Sequence, residues 1–309
     1  MRLVVSKNSE DGFSNIQDAI DAANSGDTII IEAGRYEERL EVKTPGIDII
    51  GENSNNTIIS FSLYANEIME DGMKRGTFRT ATAFIDANDI SVSNVTFVNE
   101  SGDGREVGQA IAMYAEGDHI HFKNCRFIGH QDTLFTGPLP PKENSHRGFI
   151  GPKENSPRIN GRQWYENCYI EGDVDFIFGS ATAVFTDCKI CSLNRNMDPN
   201  GYVTAPSTPI GQEYGYIFIN CDFINEGCTD NSVYLSRPWR EYAKCVFIGC
   251  SYDKHIKSEG FHDWNKEIAH DTSYYAEYPG IDGRCDWAHS ISEEESKEYT
   301  VERIYLGVV

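Results

Sequence analysis

The sequence predicts an all-β fold, a parallel β-helix in which successive coils stack on one another. The main observation is a degenerate repeat: alternating apolar residues, then Asn, Asp or Gly, then Cys or Val, then apolar residues again. Asn suits a sharp bend between two strands because it tolerates the left-handed backbone conformation. Stacked coils bury the inward side chains of each repeat on the next. A β-sandwich is the alternative, but the in-phase corner residues favour the solenoid.

Six copies of the repeat occur at irregular spacings. They cover residues 90–97, 120–127, 164–170, 184–190, 217–223 and 246–252. Copies of one pattern at variable spacing predict coils of similar shape joined by loops of different length. Those loops should gather along one side of the solenoid, where polar side chains from several coils can meet.

A short helix is predicted before the solenoid. Ser14-Asn15-Ile16-Gln17 has the form of a capping box, and apolar residues follow at helical spacing. We expect an amphipathic helix from about residue 15 to 24 that caps the N-terminal end of the solenoid.

Residues 137–161 interrupt the repeat with a stretch rich in Pro and Gly. Within it, Pro-Lys-Glu-Asn-Ser occurs at 141–145 and again at 152–156. This composition predicts a surface-loop insertion with no core of its own to bury.

The C-terminal segment is predicted to be a tail. After residue 253 the repeat fades into an aromatic-rich segment, and 253–309 is expected to pack on the outside of the solenoid. A capping box beginning at Ser292 predicts a terminal helix that continues to about Tyr305. The whole chain, 1–309, is predicted to form a single β-helix domain.

The charge balance excludes several classes of partner. The formal net charge is −21, which repels nucleic acids and anionic membranes, and the sequence has no basic run. No apolar run approaches the roughly 18 residues that a membrane span needs, and the first residues do not resemble a signal peptide. We expect a cytoplasmic protein, or a secreted one if a signal has been removed.

The nine cysteines cannot all pair with one another because their number is odd. Most lie in apolar, strand-like surroundings, where a free cysteine behaves as a small hydrophobe. We expect reduced core residues rather than a disulfide framework. Cys188 and Cys191 have CxxC spacing, but no second pair or histidine cluster accompanies them, so no metal site is predicted.

Four polar clusters interrupt the strands, at 108–112, 129–135, 173–181 and 235–239. The third contains Asp175, which is surrounded by Val174, Phe176 and other apolar residues. A poorly solvated carboxylate must be paired or held ready to react, so Asp175 is the candidate nucleophile. Each cluster could instead be structural, for example as a turn cap or a surface stack. Together they supply the groups needed for acid-base chemistry.

With these clusters the chain resembles the pectin methylesterases, over nearly its whole length. The most specific matches are Gln131-Asp132-Thr133-Leu134 and Asp175-Phe176-Ile177-Phe178-Gly179. Other matches are 16–20, 34–38, 77–82, the remaining polar clusters and 275–278. The resemblance implies a right-handed parallel β-helix that hydrolyses the methyl ester of galacturonate units, releasing methanol.

The resemblance also implies a role for each site residue. Asp175 attacks the ester carbonyl, and Asp132 protonates the departing methanol and then deprotonates water. Gln109 and Gln131 donate hydrogen bonds to the oxyanion. Arg237 beside Asp175 keeps that carboxylate ionised, whereas Asp132 must begin protonated.

The substrate is implied to be methyl-esterified homogalacturonan or its oligosaccharides, with no metal or other cofactor and with a monomeric protein. The residues expected to contact substrate are Thr82, Gln109, Phe135, Val174, Phe178, Arg237 and Trp239.

Three features depart from the family pattern: Ser236 before Arg-Pro-Trp, Ser180 after Asp-Phe-Ile-Phe-Gly, and the insertion 137–161. None removes a catalytic group. Two other functions stay open on the same fold: a lyase or polygalacturonase acting on pectin, and a carbohydrate-binding β-helix without catalysis.

Overall fold

The computed structural model describes residues 1–7, 12–141 and 148–308. It is a solenoid of three parallel sheets with eleven, seven and eight strands, here called sheets 1, 2 and 3. Within each sheet, every strand pairs in parallel with the strand one coil away, as the repeat predicts. The all-β parallel β-helix is therefore confirmed.

The strands of sheet 1 are Arg2–Val5, Thr28–Ile31, Asp48–Gly51, Ile90–Ser93, Ile120–Lys123, Arg162–Glu166, Thr182–Thr186, Tyr216–Ile219, Lys244–Ile248, Tyr274–Tyr278 and His289–Ser290. Those of sheet 2 are Leu40–Val42, Ala83–Asp86, Met113–Glu116, Leu134–Thr136, Val174–Gly179, Gly201–Pro206 and Val233–Ser236. Those of sheet 3 are Gly34–Glu37, Thr57–Phe61, Thr96–Asn99, Arg126–Ile128, Tyr169–Gly172, Lys189–Leu193, Asp222–Glu226 and Ser251–Tyr252. The helices are Ile16–Ala22, Gly104–Val107, Ala269–Thr272, Glu293–Ser296 and Val301–Ile304, with a 3-10 turn at Thr77–Arg79.

Each repeat is a pair of strands joined by a sharp corner between sheets 1 and 3. The corner residues have left-handed backbones, with φ between 50° and 59°, and we call this row the asparagine corner: Asn94, Asn124, Asn167, Asp187 and Asn220. Their amides stack along the solenoid, since Asn167 donates to Asn124 at 2.7 Å and Asn124 donates to Asn94 at 3.2 Å. The corner is where the sequence repeat predicted it.

The core is a stack of rings and thiols in register from coil to coil. Five rings of sheet 1 lie one above the next with centroids 4.5 to 5.2 Å apart: Phe122, Tyr165, Phe185, Phe218 and Phe247. The cysteine that follows a corner residue is buried in the same core in most coils. None of the nine cysteines forms a disulfide. Burial of this apolar surface is the main stabilisation of the solenoid.

The N-terminal helix spans Ile16–Ala22, within the predicted range, and buries Ile16, Ala19 and Ile20 against the first coil. The capping box predicted at Ser14 is absent: the N-cap is Asn15, and its side chain makes no cap hydrogen bond. The Glu38 carboxylate instead accepts the first two free N–H groups of the helix. A distant acceptor has replaced the local cap.

The C-terminal segment differs from the predicted outer tail. Tyr274–Tyr278 is a strand that extends sheet 1, and Tyr275 is fully buried in the core. The solenoid therefore continues past residue 253. The predicted terminal helix is two short helices, with a capping box at Ser292 and a second N-cap at Thr300. The last part packs on the outside, where Ile304 contacts the outer face of sheet 1.

The insertion is attached to sheet 2 more closely than its composition predicted. Residues 142–145 of the first copy of its duplicated motif lie outside the described residues. On either side, Leu139 is fully buried and Phe149 is nearly so, both in an aromatic cluster on sheet 2. Lys153 bridges Asp86 and Glu116 on neighbouring strands. The expectation that the insertion buries nothing was wrong.

Within the described part of the chain, none of the helices is long and apolar enough to cross a membrane.

Candidate active site

An open pocket of about 290 Å³ lies on sheet 2. Its wall contains all five residues predicted to be catalytic, together with seven others. The lining residues are Thr77, Phe78, Gln109, Gln131, Asp132, Phe149, Asp175, Phe178, Ala205, Arg237, Trp239 and Trp264.

Successive coils deliver the polar groups to this pocket. Gln109 precedes the strand Met113–Glu116, Asp132 precedes Leu134–Thr136, and Asp175 lies in the next strand of the sheet. Arg237 follows a strand two positions further along. Neighbouring strands are about 4.8 Å apart, so residues distant in sequence meet at one place on the sheet.

Backbone geometry aims both carboxylates into the pocket. Asp132 and Asp175 have φ values of 65° and 50°, a conformation that short polar residues tolerate best. The pairing of the Asp175 strand with Gly201–Pro206 shifts between Val174 and Ile177, as in a β-bulge. Bulges re-aim a side chain. The backbone N–H of Asp132 donates to the Val174 carbonyl at 3.0 Å and fixes one loop to the other.

Arg237 grips Asp175 with two hydrogen bonds, from Nε to Oδ1 at 2.8 Å and from Nη2 to Oδ2 at 2.7 Å. Both side chains are almost buried, and the guanidinium lies between the rings of Tyr202 and Trp264, 3.7 Å from each centroid. Such a clamp holds the carboxylate in one orientation and places a positive charge beside it.

Asp132 has the opposite environment. Burial raises the pKa of its carboxyl well above the usual range, and the negative charge of Asp175 raises it further, whereas Arg237 opposes the shift. Two neighbouring carboxyl groups with different environments can therefore serve as an ionised nucleophile and a protonated acid.

The amides of Gln109 and Gln131 face the pocket and, among the residues that the structure describes, find no hydrogen-bond partner for their side chains. Their backbones are fixed, since the Gln131 carbonyl accepts from Ala110 N–H at 3.1 Å. The amides are free to donate to an oxygen atom that enters the pocket.

Three predicted contact residues do not line the pocket. Thr82 and Phe135 have no exposed surface: the Thr82 hydroxyl donates to the Val98 carbonyl, and Phe135 packs against Phe78 and Phe178. Val174 is also buried. Of these three, Phe135 supports the wall from behind through its ring contacts, whereas Phe178 and Trp239 form part of the wall.

Phe78, Phe149 and Trp264 line the pocket but were not predicted. Phe78 lies within the stretch 77–82 that resembles the family, and this resemblance could have identified it as a pocket residue. Trp264 was assigned to the outer tail, and Phe149 to a loop without a core. Their positions depend on how distant segments return to sheet 2, which no local pattern encodes.

Ser180 and Ser236, two departures from the family pattern, both lie behind the pocket and are buried. Ser180 exchanges a hydrogen bond of 2.7 Å with Ser207. In the described part of the chain, no group of three or more His, Cys, Asp or Glu side chains is placed to bind a metal ion.

Comparison with known solved structures extends the likeness to the whole fold. Pectin methylesterase from carrot superposes with a TM-score of 0.81 at 26% identity, covering 99% of this chain and 93% of that one. Pectin methylesterase PemA from Erwinia chrysanthemi gives a TM-score of 0.78 at 28% identity, covering 98% and 96%. These proteins have the right-handed parallel β-helix fold, which this chain shares.

Sequence comparison gives the same family. A probable pectinesterase/pectinesterase inhibitor of Arabidopsis thaliana is 29% identical over 94% of this chain, which spans 48% of that protein. A pectinesterase/pectinesterase inhibitor of Prunus persica is 30% identical over 98% of this chain, which spans 57% of it. The chain thus spans about half the length of these two relatives.

The sequence profile of the pectinesterase family matches residues 2–139 and 158–307, so most of the insertion lies outside the match. A match of this extent, together with the shared fold, establishes that the chain belongs to the pectinesterase family.

Proposed function

We propose that this protein hydrolyses the methyl esters of galacturonate units in pectin or its oligosaccharides, giving methanol and free carboxylate. The observation that supports it most is the pair of carboxyl groups: Asp175, clamped by Arg237 at 2.7 and 2.8 Å, beside a buried Asp132 with a raised pKa. This pair provides a nucleophile and an acid without a metal ion.

In the first half of the reaction, a carboxylate oxygen of Asp175 attacks the ester carbonyl carbon. The bond from carbon to the methoxy oxygen breaks, and Asp132 gives its proton to that oxygen, so methanol leaves. The product is an anhydride between Asp175 and the substrate. In the second half, Asp132 takes a proton from water, which attacks the anhydride and releases the galacturonate carboxylate and Asp175.

Gln109 and Gln131 are assigned to the oxyanion. Negative charge develops on the carbonyl oxygen in both halves of the reaction, and preorganised amide donors stabilise it. Because both amides face the pocket and have no hydrogen-bond partner within 1–7, 12–141 and 148–308, no bond to these residues has to break before they bind substrate.

The rings around the pocket are assigned to the sugar. Trp239 contacts the rings of Phe178, Phe78 and Phe149, and this aromatic wall offers an apolar face on which a pyranose ring can stack. A similar solved structure, 28% identical with a TM-score of 0.79, is that of a pectin methylesterase in complex with a hexasaccharide. That likeness supports an oligosaccharide or polysaccharide as the substrate of this chain.

Methanol release from highly methylated pectin tests the proposal directly. The same reaction is sampled for new reducing ends and for unsaturated uronates, which a polygalacturonase and a lyase would respectively produce. We expect methanol with neither chain-cleavage product. Chain cleavage without methanol would assign the pocket to one of those enzymes, and binding without any product would assign it to a carbohydrate-binding protein.

A further inference from the structure

A second cavity, of about 740 Å³, lies beside the candidate active site on sheet 2. Phe78 lines both cavities, so the two adjoin at this ring. Apolar side chains of three consecutive strands, Leu40, Phe84 and Tyr114, form part of its wall. Apolar walls with a few charged groups are typical of ligand sites.

The charged groups of this cavity are arginines in a protein with net charge −21. Arg39, Arg75 and Arg79 line it. Arg75 pairs with Glu67 at 2.7 Å, but no carboxylate of the described residues lies within ion-pair distance of Arg39 or Arg79. The three arginines make this cavity locally basic although the protein as a whole is strongly acidic.

Backbone carbonyls hold these two arginines in place. Arg39 donates from Nε to the Ala81 carbonyl at 3.2 Å, and Arg79 donates to the carbonyls of Arg75 and Lys74. Carbonyls orient a guanidinium without neutralising its charge, and each guanidinium has further N–H donors, which suit a carboxylate.

The acidic residues of the cavity do not supply the missing partners. Glu41 pairs with Lys43 at 2.9 Å, and Asp21 accepts from the Gln17 amide at 2.7 Å. The positive charge of Arg39 and Arg79 is therefore available to an anion from outside.

We propose that this second cavity binds a free galacturonate carboxylate, on a unit of the same polymer whose methyl ester occupies the catalytic pocket. The inference rests on the proposed function, which turns neutral ester units into carboxylates. It follows that the enzyme has a site for partly de-esterified chains although no basic run occurs in the sequence.

The test is calorimetric binding of an unesterified galacturonate oligomer at low ionic strength. Arg39→Gln is the test variant, and Arg35→Gln is the matched control, since it also removes one positive charge but from an exposed pair with Glu100 on sheet 3. We expect Arg39→Gln to raise Kd at least about 5-fold and Arg35→Gln to change it less than about 2-fold. A fully methylated oligomer should not distinguish the two variants.

Equal effects of the two substitutions, or an equal loss of affinity for the fully methylated oligomer, would overturn the inference. Circular dichroism of both variants checks that they fold, and Arg39→Lys, which keeps the charge, should recover part of the affinity. Methanol release by the unsubstituted protein is measured in parallel. If no methanol appears but Arg39→Gln weakens binding selectively, the proposed function fails and the second site stands. If methanol release is normal but Arg39→Gln causes no selective loss of affinity, the proposed function stands and the second site fails.

Discussion

The asparagine corner and the carboxylate pair Asp132 and Asp175 use the same backbone conformation for different purposes. Both have φ between 50° and 65°. At the corner, the side chains lie at the surface, and two of the four neighbouring pairs of coils are joined there by amide hydrogen bonds. In the pocket, the side chains are buried, and one is clamped by Arg237. Left-handed geometry thus selects short polar residues, and their surroundings decide whether they do chemistry.

The strongest test of this difference is to replace Asp by Asn both in the pocket and at the asparagine corner. Asp175→Asn keeps a residue that tolerates left-handed φ but removes the proposed nucleophile, so we expect methanol release to fall at least about 100-fold with the fold intact. Asp187→Asn, in the corner, makes the same change of charge and places there the residue that the neighbouring coils already have. It should leave the rate unchanged. Near-normal turnover by a folded Asp175→Asn protein would contradict the assignment of nucleophile.

Asp132 gives the second prediction, through pH. As the acid it must begin protonated, so turnover should fall as pH rises through its raised pKa. Asp132→Asn should reduce turnover about 100-fold and remove this alkaline limb from the residual activity. An unchanged limb in the variant would assign the titration to another group.

Stability checks the same shift independently. Because the folded pKa of Asp132 lies above the unfolded value of about 3.9, the folded state holds the proton more tightly. The free energy of unfolding should therefore fall as pH rises from that unfolded value through the folded pKa. Asp132→Asn should lack this part of the decline when urea unfolding is measured across the same range.

The fold was predictable to the extent that the repeat fixes it. Corner residues such as Asn124 and Asn167 mark the bend between sheets 1 and 3 in five coils, so the strands on either side of that bend and the stacking of those coils follow from the repeat. The segment around Tyr275 was missed because its coil has no corner of this kind. Trp264, which stacks on Arg237, and the separated arginines 39, 75 and 79 have no common pattern in sequence, and only the stacking of coils brings them together.

The third prediction tests the corner alone. Asn167→Ala keeps a Cβ at φ 50° but removes the amide that donates to Asn124. We expect the free energy of unfolding to fall by about 1 to 2 kcal/mol, with methanol release unchanged. Asn167→Gly, which relieves the backbone but also lacks the amide, should recover part of the loss. A fall in methanol release by the folded Asn167→Ala protein would show that the asparagine corner and the carboxylate pair are coupled.

The smallest effect is expected beside the pocket, at His130. Its Nδ1 lies 3.2 Å from Oδ2 of Asp173, a carboxylate that is almost completely buried and whose other oxygen has no partner among the described residues. The hydrogen bond to Asp173 raises the pKa of His130, and burial opposes the shift. The pair joins the loop that carries Asp132 to the strand that carries Asp175, so it is a positioning pair rather than a catalytic one.

The sign of its pH dependence follows from the direction of that shift. A histidine whose folded pKa is raised contributes stability below its unfolded pKa of about 6.5, and this contribution is lost as pH rises through the folded pKa. Because the imidazole is over a third exposed, the difference should be only about 0.5 to 1 kcal/mol. His130→Gln should therefore lower the free energy of unfolding more at pH 5.5 than at pH 8.5. His121→Gln is the comparison, since that ring also contacts a carboxylate, of Glu166, but its pKa is lowered by burial. If the loss of stability in His130→Gln were the same at pH 5.5 and pH 8.5, or if His121→Gln showed an equal difference, the pair His130 and Asp173 would have no special part in holding the two segments together.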